Sequence, residues 1–305
     1  MPDYLICGLA VRSEVELPGV VKAVAPVESA DVFIRRAAVA LPFEGDVGSG
    51  LNWHVEGANL LFRVPGIVRC QVTEGRLIQF APEGDTCAAE AVPFLLSTGF
   101  GALLHQRELL VLHASAVAFN GHAVAICGPS GVGKSTLAAA LCSAGGGFVC
   151  DDMAVVRFEA DGTPAITPDG RQHRLWSDAV EHLALDDRRG QAVRATLRKY
   201  HVDPGVVAVP AKVPLKAIIV LREASLGMPP GLSRLTSADA APLLRQDIFR
   251  RTAAARMGRD VPLFFQVAAL LGQVRVFRFD RRNELGAMHE NVRLVLDRLE
   301  GSDDW

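Results

Sequence analysis

A nine-residue, glycine-rich segment constrains this chain more than any other feature: Gly128-Pro-Ser-Gly-Val-Gly-Lys-Ser-Thr136. It matches the pattern GxxxxGK[ST] in full, and it stands between a predicted strand, His122–Cys127, and a predicted helix that runs through Leu141. Glycines let such a loop turn its backbone N–H groups inward around a phosphate, and the helix N-terminus adds positive potential. The segment therefore predicts an α/β sheet that binds ATP or GTP.

Two side chains of this loop have specific expected roles. Lys134 is expected to reach the β- and γ-phosphates, and the Ser135 hydroxyl to ligate Mg²⁺. The alternative, a glycine turn with an incidental Lys-Ser pair, is disfavoured by the predicted strand before the loop and helix after it. ATP and Mg²⁺ are the expected cofactors. The candidate nucleotide-binding residues are Gly128, Pro129, Ser130, Gly131, Val132, Gly133, Lys134, Ser135 and Thr136.

A pair of carboxylates follows soon after the loop. A short apolar strand, Phe148–Cys150, runs into Asp151-Asp152, and Asp152 lies 18 residues beyond Lys134. Only one helix and a return strand fit in that interval, so we expect the return strand to pack beside the P-loop strand and end at the same crevice. There one carboxylate can help to hold Mg²⁺ while the other accepts a proton from an attacking hydroxyl. The alternative is a simple Asp-Asp turn.

Composition excludes several classes of protein. The 32 Lys and Arg residues balance 34 Asp and Glu residues, which argues against a nucleic-acid binder. Apolar runs stay shorter than the ~18–20 residues of a membrane span, and the longest, Ala91–Leu104, contains Pro93 and Gly99. The first residues lack the basic region of a signal peptide, and the six cysteines form no CxxC motif. We therefore expect a cytoplasmic protein with reduced thiols and no nucleic-acid or membrane partner.

The chain divides by pattern into two parts. Residues 1–108 predict a β-rich module, with strands at Leu60–Val64, Val68–Val72 and Leu77–Phe80 and a closing helix at Ala88–Arg107. We expect this module to be a scaffold or a platform for a partner. Residues 109–305 predict the P-loop domain.

The P-loop domain has its own predicted elements. Leu109–Phe119 is predicted as one strand that turns at Asn120-Gly121 into the P-loop strand. Further along, Ala224–Leu235 is predicted as a loop and Ala238–Arg256 as a helix. On the residues alone, His113 is more often structural than functional, because a lone His on an apolar strand has no partner in the sequence.

The segment Leu112–Val156, LHASAVAFNGHAVAICGPSGVGKSTLAAALCSAGGGFVCDDMAVV, resembles the HPr kinase/phosphorylase family. In that family a His-bearing strand leads by a hairpin into a P-loop, and an Asp pair follows one helix later. The resemblance implies an α/β fold with a P-loop kinase core of the HPr kinase/PEP carboxykinase type, here with a small β-rich N-terminal module. It also implies that His113 lies beside the active site, that Asp152 is the catalytic base, and that Asp151 is a supporting or metal-side carboxylate.

The chain also departs from that family. The family's Leu-Glu-Ile-Arg-Gly segment, whose Glu helps to bind magnesium, is missing; Asp178 is the candidate replacement, although it equally suits a helix N-cap. The family's loop for dephosphorylation is missing too, so we expect no phosphorylase activity. The resemblance is closer to stand-alone HPr-kinase-like proteins, including lasso-peptide cluster kinases, in segments such as Gly99–Val117. Those kinases phosphorylate the C-terminal Ser of the precursor peptide.

Further along the chain, several charged and aromatic residues have an expected role or position. A further cation that stabilises the transferring phosphoryl group is expected from Arg250 first and Lys199 second, with solvated helix cations as the alternative. His173 and His201 are predicted to lie on the surface and Trp176 in the core. The run around Arg278 and Arg281 is predicted to be a solvated strand end.

The sequence thus predicts an ATP-dependent kinase whose acceptor is a Ser or Thr hydroxyl of a peptide or small protein. Its catalytic residues would be Asp152, His113, Lys134 and Arg250, and its metal ligands Ser135, Asp151 and Asp178. Two alternatives stay open: a kinase of a small-molecule alcohol, and a nucleotide-dependent regulatory ATPase that acts through a partner. A homo-oligomer also stays open: the core of the family that the chain resembles often forms rings, but the different N-terminal region removes the reason to carry this property over.

Overall fold

A computed structural model of the chain describes residues 1–39, 52–205, 209, 211–225 and 228–300. These residues form a mixed α/β structure. Its strands are β1 (Asp3–Ile6), β2 (Leu9–Ser13), β3 (Val32–Arg36), β4 (Asn52–Glu56), β5 (Asn59–Val64), β6 (Val68–Thr73), β7 (Leu77–Pro82), β8 (Leu110–Leu112), β9 (Ala114–Phe119), β10 (His122–Cys127), β11 (Gly147–Cys150), β12 (Ala154–Phe158), β13 (Pro164–Ile166), β14 (His173–Trp176), β15 (Arg189–Ala192), β16 (Lys199–Val202), β17 (Val213–Glu223), β18 (Gly231–Arg234) and β19 (Arg275–Arg281). Its α-helices are α1 (Ala88–Phe94), α2 (Phe100–Gln106), α3 (Lys134–Ser143), α4 (Ser177–His182), α5 (Ser237–Gln246), α6 (Arg251–Arg256), α7 (Asp260–Leu271) and α8 (Met288–Glu300).

The N-terminal part is one sheet of order β1-β2-β3-β7-β6-β5-β4 within the described residues. The predicted meander is confirmed, because β5, β6 and β7 pair antiparallel in succession. Its turns use residues with positive φ, Gly66 and the pair Glu74-Gly75, as the turn signals indicate. Alternate residues of β6 are buried, which is the period of a strand with one face on a core.

The predicted helix after this sheet is present, with a π-helical stretch, Leu95–Gly99, between α1 and α2. By length and composition Ala88–Gln106 could cross a membrane, but 67% of its most apolar stretch is buried inside the protein. It is therefore a core helix. The same hydrophobic cluster continues from the N-terminal sheet through Phe100 to Met153 and Phe249 of the second part. The division of the chain near residue 108 stays a prediction.

The P-loop strand lies in the second sheet, whose main order is β11-β9-β10-β17-β13-β12-β8. Strand β10 pairs parallel with β17, and β17 pairs parallel with β19. β18 adds antiparallel to β19, so the predicted loop Ala224–Leu235 is wrong where it covers β18. A small third sheet, of order β14-β16-β15, lies beside the carboxyl end of β11 through the backbone contact of Arg174 with Asp151.

Two predictions about this sheet are wrong. Leu109–Phe119 is not one strand, because His113 separates β8 from β9; its N–H donates instead to the carbonyl oxygen of Asp247 at 2.6 Å. The return strand β11 does not pack beside β10, since β9 lies between them. Both β10 and β11 run antiparallel to β9, so their carboxyl ends still reach the same edge of the sheet.

The predicted helix Ala238–Arg256 is broken as well. α5 ends at Gln246 and α6 begins at Arg251, and Arg250 between them has a φ of 49°. The four residues of the break, 247–250, turn back toward His113. All six cysteines are free thiols, as the sequence predicts. Four of them are buried: Cys7, Cys70, Cys127 and Cys150.

Candidate active site

The P-loop adopts a conformation that only glycine fits at two positions. Gly128 and Gly133 have φ values of 138° and 86°. A Cβ at Gly133 would lie 2.6 Å from Arg281 Nη2, and one at Gly128 would lie 2.9 Å from the carbonyl oxygen of Leu221. The loop therefore closes tightly between β10 and α3.

Lys134 lies inside this loop. Its ammonium donates to the carbonyl oxygens of Gly128, at 2.8 Å, and Pro129, at 3.1 Å. The side chain is buried, and this burial lowers the pKa of Lys134, while the carboxylates of Asp247 and Asp152 act to raise it. The ammonium is thus held at the position from which a P-loop lysine reaches phosphate.

Two side chains at the end of strand β19 and just after it donate hydrogen bonds to the P-loop backbone. Arg281 Nη2 donates to the carbonyl oxygen of Val132, and Asn283 Nδ2 donates to that of Gly131 at 3.2 Å. Arg281 is 1% exposed, so the prediction of a solvated strand end is wrong for this residue. The strand period gives the reason, because Arg281 shares a face with the buried residues Phe277 and Phe279. Arg278 does lie at the surface, paired with Asp280.

Asp151 is bound on both oxygens by protein groups. Ser115 Oγ donates to Oδ1 at 2.7 Å, and the N–H of Arg174 donates to Oδ2 at 2.9 Å. Burial acts to raise the pKa of Asp151, but the Arg174 charge and these hydrogen bonds hold it below its usual range. Asp151 therefore joins β9, the end of β11 and β14.

Asp152 faces two partners. Its Oδ2 lies 2.6 Å from Arg174 Nη2, and its Oδ1 lies 3.6 Å from His113 Nε2. Burial alone would raise the pKa of Asp152, but the charges of Arg174, His113 and Arg171 outweigh it and lower the pKa to about 2. The backbone φ of Asp152 is +80°, a left-handed value that is uncommon for residues other than glycine. Asp152 is thus a fixed, ionised carboxylate.

His113 occupies the gap between β8 and β9. Its ring meets the Phe249 ring edge-on, with centroids 5.9 Å apart. Burial lowers the pKa of His113, Lys134 lowers it further, and Asp152 opposes both. The imidazole is therefore mainly neutral near pH 7 and can share a proton with an adjacent group.

One cavity of about 280 Å³ collects most of these side chains. It joins the P-loop to the Asp pair and to the third sheet, so it has room for a phosphate chain beside these carboxylates. The lining residues that matter here are His113, Ser130, Gly131, Gly133, Lys134, Ser135, Thr136, Asp151, Asp152, Arg174, Trp176, Asp178 and Lys199. Gly128, Pro129 and Val132 shape the loop outside this lining.

The two candidate cations lie differently. Lys199, on β16, lines the cavity with its ammonium 5.7 Å from the Trp176 ring, and burial lowers its pKa. Arg250 is exposed at the start of α6, outside the lining, with its guanidinium against Phe249. The structure thus brings Lys199, rather than Arg250, into the cavity.

Sequence reasoning missed Arg174. In β14, Arg174 and Trp176 share one face of the strand, while His173 and Leu175 share the buried face. This alternation is the one signal in the sequence that could have pointed to Arg174. The same strand corrects two predictions: Trp176 is 50% exposed rather than part of the core, and His173 is buried, as is His201 on β16.

The donor set fits a magnesium–nucleotide complex. Among the described residues no group of three or more His, Cys, Asp or Glu side chains is preassembled for a metal. Mg²⁺ typically takes one or two protein ligands and completes its shell with phosphate oxygens and water. Ser135 and Asp178 supply hard oxygen donors in this cavity, although Asp178 Oδ1 also accepts the N–H of Ala179 at 2.8 Å.

Comparison with solved structures finds a similarity to the Hpr(Ser) kinase/phosphatase from Coxiella burnetii. The identity is 17%, the match covers 63% of this chain and 93% of that one, and the TM-score is 0.34. No protein-family model matches the sequence. No curated protein matches it either.

Proposed function

We propose that this chain is an ATP-dependent phosphotransferase that phosphorylates a Ser or Thr hydroxyl of a peptide or small protein. One observation carries the proposal: a P-loop lysine, Lys134, and an ionised carboxylate, Asp152, line the same cavity. A phosphate-binding loop supplies the donor site, and a carboxylate beside it supplies a proton acceptor.

The chain's own residues assign the parts of the site. The backbone N–H groups from Gly131 to Lys134 would surround the phosphates, with the Lys134 ammonium turning from two carbonyl oxygens to phosphate oxygens. Ser135 and Asp178 would hold Mg²⁺, which when bound supplies positive charge against the phosphates. Lys199 would add a second cation on the far wall of the cavity.

The transfer step follows from the position of Asp152. The acceptor oxygen bonds to the γ-phosphorus, the bond from that phosphorus to the bridging oxygen breaks with ADP as the leaving group, and the hydroxyl proton passes to the Asp152 carboxylate. A carboxylate of pKa about 2 is a weak base. It suits a loose transition state, in which the proton leaves late and positioning outweighs basicity. Arg174 and His113 hold the carboxylate in place as positioning residues.

The acceptor class comes from the resemblance of the sequence. If the similarity to lasso-peptide cluster kinases extends to substrate, the acceptor is the C-terminal Ser of a precursor peptide. The absence of phosphorylase activity, a cytoplasmic location and Arg250 as a catalytic cation remain predictions.

A phosphate-transfer assay read by mass spectrometry tests the proposal. Purified protein with Mg·ATP is offered Ser-ending peptides, HPr and small alcohols, with Asp152→Asn as control. Asn suits this control because, like Asp, it tolerates the positive φ of residue 152. We expect an acceptor to gain one phosphate with the native chain and none with the variant. ADP release without any labelled acceptor would contradict the proposal and favour a regulatory ATPase.

A further inference from the structure

Helices α5 and α7 leave an apolar groove open on the surface. The groove has a volume of about 750 Å³, and its floor is formed by Leu263, Val267 and Ile248. Phe264 stands at its edge 60% exposed, and the neighbouring Phe265, whose ring contacts that of Phe264, is 65% exposed. Exposed aromatic side chains in a cluster mark interaction surfaces in soluble proteins.

The groove is continuous with the candidate active site through one five-residue segment, 247–251. Ile248 and Arg251 line the groove. Two other residues of the segment contact His113. The carbonyl oxygen of Asp247 accepts the N–H of His113, and the Phe249 ring packs on the His113 ring. The segment that lines the groove is therefore the same segment that contacts His113 beside Asp152.

The lining of the groove carries one unpaired positive charge. Arg245 is paired with Asp260, whereas Arg251 is exposed and has no carboxylate within ion-pair distance among the residues that the structure describes. This unpaired arginine adjoins the apolar residues of the groove. An occupant with acidic residues beside an apolar stretch is complementary to it.

We propose that this groove docks an apolar segment of the acceptor peptide, with acidic residues flanking that segment on Arg251. The proposal rests on the kinase function proposed above and names the recognition element of its substrate. Phe264 and Phe265 would act as anchors for the apolar stretch, and Arg251 would fix its register. Docking outside the cavity would bring the acceptor hydroxyl to Asp152 without demanding a sequence motif at the hydroxyl itself.

Direct peptide binding tests this without relying on catalysis. Two fluorescent peptides share one apolar Leu/Ile/Phe stretch and a terminal Ser, and differ only in Glu or Lys flanks. We expect the full chain to bind the Glu-flanked peptide at least tenfold more tightly. Phe264→Ser with Phe265→Ser should weaken that binding about tenfold, and Arg251→Glu should reverse the preference. Matched exposed changes elsewhere, Val24→Ser and Arg36→Glu, should leave it unchanged.

The kinetic readout separates docking from chemistry. In the groove variants the KM for the Glu-flanked peptide should rise while kcat and ATP affinity stay unchanged. Equal binding of the two peptides, or no effect of the Phe and Arg251 variants, overturns the proposal. The proposal is also overturned if the native chain is a dimer and the Phe264/Phe265 variant is a monomer. It is overturned as well if the native chain binds anionic lipid vesicles and only the Phe variant loses this binding. Failure of the kinase proposal shows differently, as normal peptide binding without transfer.

Discussion

The Arg174 guanidinium lies 2.6 Å from Asp152 Oδ2, at the wall shared by the nucleotide loop and the third sheet. Replacing Arg174 by Gln removes the largest effect that lowers the pKa of Asp152 and leaves its burial in place. We therefore expect the pKa of Asp152 to rise from about 2. The transfer rate should fall, because the carboxylate loses the guanidinium that positions it. A ¹³C NMR titration of the Asp152 carboxyl measures the first effect, and Arg174→Lys should largely restore the native value. An unchanged pKa in the Gln variant would mean that Arg174 does not control this carboxylate.

Lys134→Ala should weaken ATP binding, because the ammonium is the charged group that the loop places for phosphate. The loss should exceed tenfold, or about 1.4 kcal/mol, with and without Mg²⁺. Isothermal titration calorimetry measures it, and Lys212→Ala, at an exposed ion pair, is the control. Near-native ATP affinity in the Lys134 variant would count against a nucleotide role for the loop.

His113→Ala should leave nucleotide binding nearly intact and lower turnover. Its ring contacts Phe249 and lies 3.6 Å from Asp152. Within the part of the chain that the structure describes, the ring forms no hydrogen bond with the P-loop backbone. His113→Gln keeps a polar group at the position and should recover part of the turnover. If the Ala variant instead lost ATP binding together with its folded circular dichroism spectrum, the role of His113 would be structural.

How much of this fold the sequence predicts depends on how far apart in the chain the contacting residues lie. The P-loop, the hairpin at Asn120-Gly121 and the β5–β7 meander follow from residues close together in the chain, and local patterns predict them. The order of strands does not, and β9 lies between the P-loop strand and β11 although spacing alone suggested that the two are adjacent. Strand order depends on which distant segments bury the most surface, and a single sequence does not show that.

The site residues that the sequence predicts differ in the same way from those that it does not predict. Lys134 and Asp152 stand in recognisable patterns, whereas Arg174 and Arg281 reach the site through tertiary contacts alone. Both are arginines on strands, which by composition are expected to face water. Strand alternation places Arg281 on the buried face of β19. Arg174 lies on the less buried face of β14 and is held at the site by the Asp152 carboxylate, which precedes it by more than twenty residues in the chain. His113 breaks a strand for a similar reason, since its N–H is taken by Asp247.

Arg281→Met should weaken ATP binding although Arg281 lies outside the cavity lining. The variant keeps much of the buried volume but removes the hydrogen bond to Val132, so the loop before Lys134 loses its anchor on β19. A buried hydrogen bond from a charged donor contributes about 1.5–3 kcal/mol to the stability of the folded protein. We expect ATP affinity to fall because, without this bond, part of the binding free energy must order the loop. Arg282→Met, on the exposed side of the same segment, should bind ATP normally. Equal affinities for the two variants would contradict this role.

Asp247→Asn should stabilise the chain at neutral pH. The Asp247 carboxyl is buried behind the P-loop, and its Oδ2 has no hydrogen-bond partner among the described residues. Burial raises its pKa to about 6, against the opposing charges of Arg222 and Lys134 and a hydrogen bond from the Gly128 N–H.

The sign of the effect follows from proton linkage. The folded state binds this proton more tightly than the unfolded state, in which the pKa is near the ordinary 3.8. The ionised carboxyl therefore destabilises the fold above pH of about 6, and this cost disappears as the pH falls toward about 4. Asn removes it at every pH. Urea unfolding should show the variant more stable than the native chain at about pH 7.5 and equal to it near pH 4. Asp85→Asn, at an exposed residue, should behave like the native chain. A constant difference in unfolding free energy between Asp247→Asn and the native chain across this pH range would show that the Asp247 carboxyl does not titrate there. Burial also raises the pKa of Asp169 to about 6. Asp169 should then account for any pH dependence that the two proteins share.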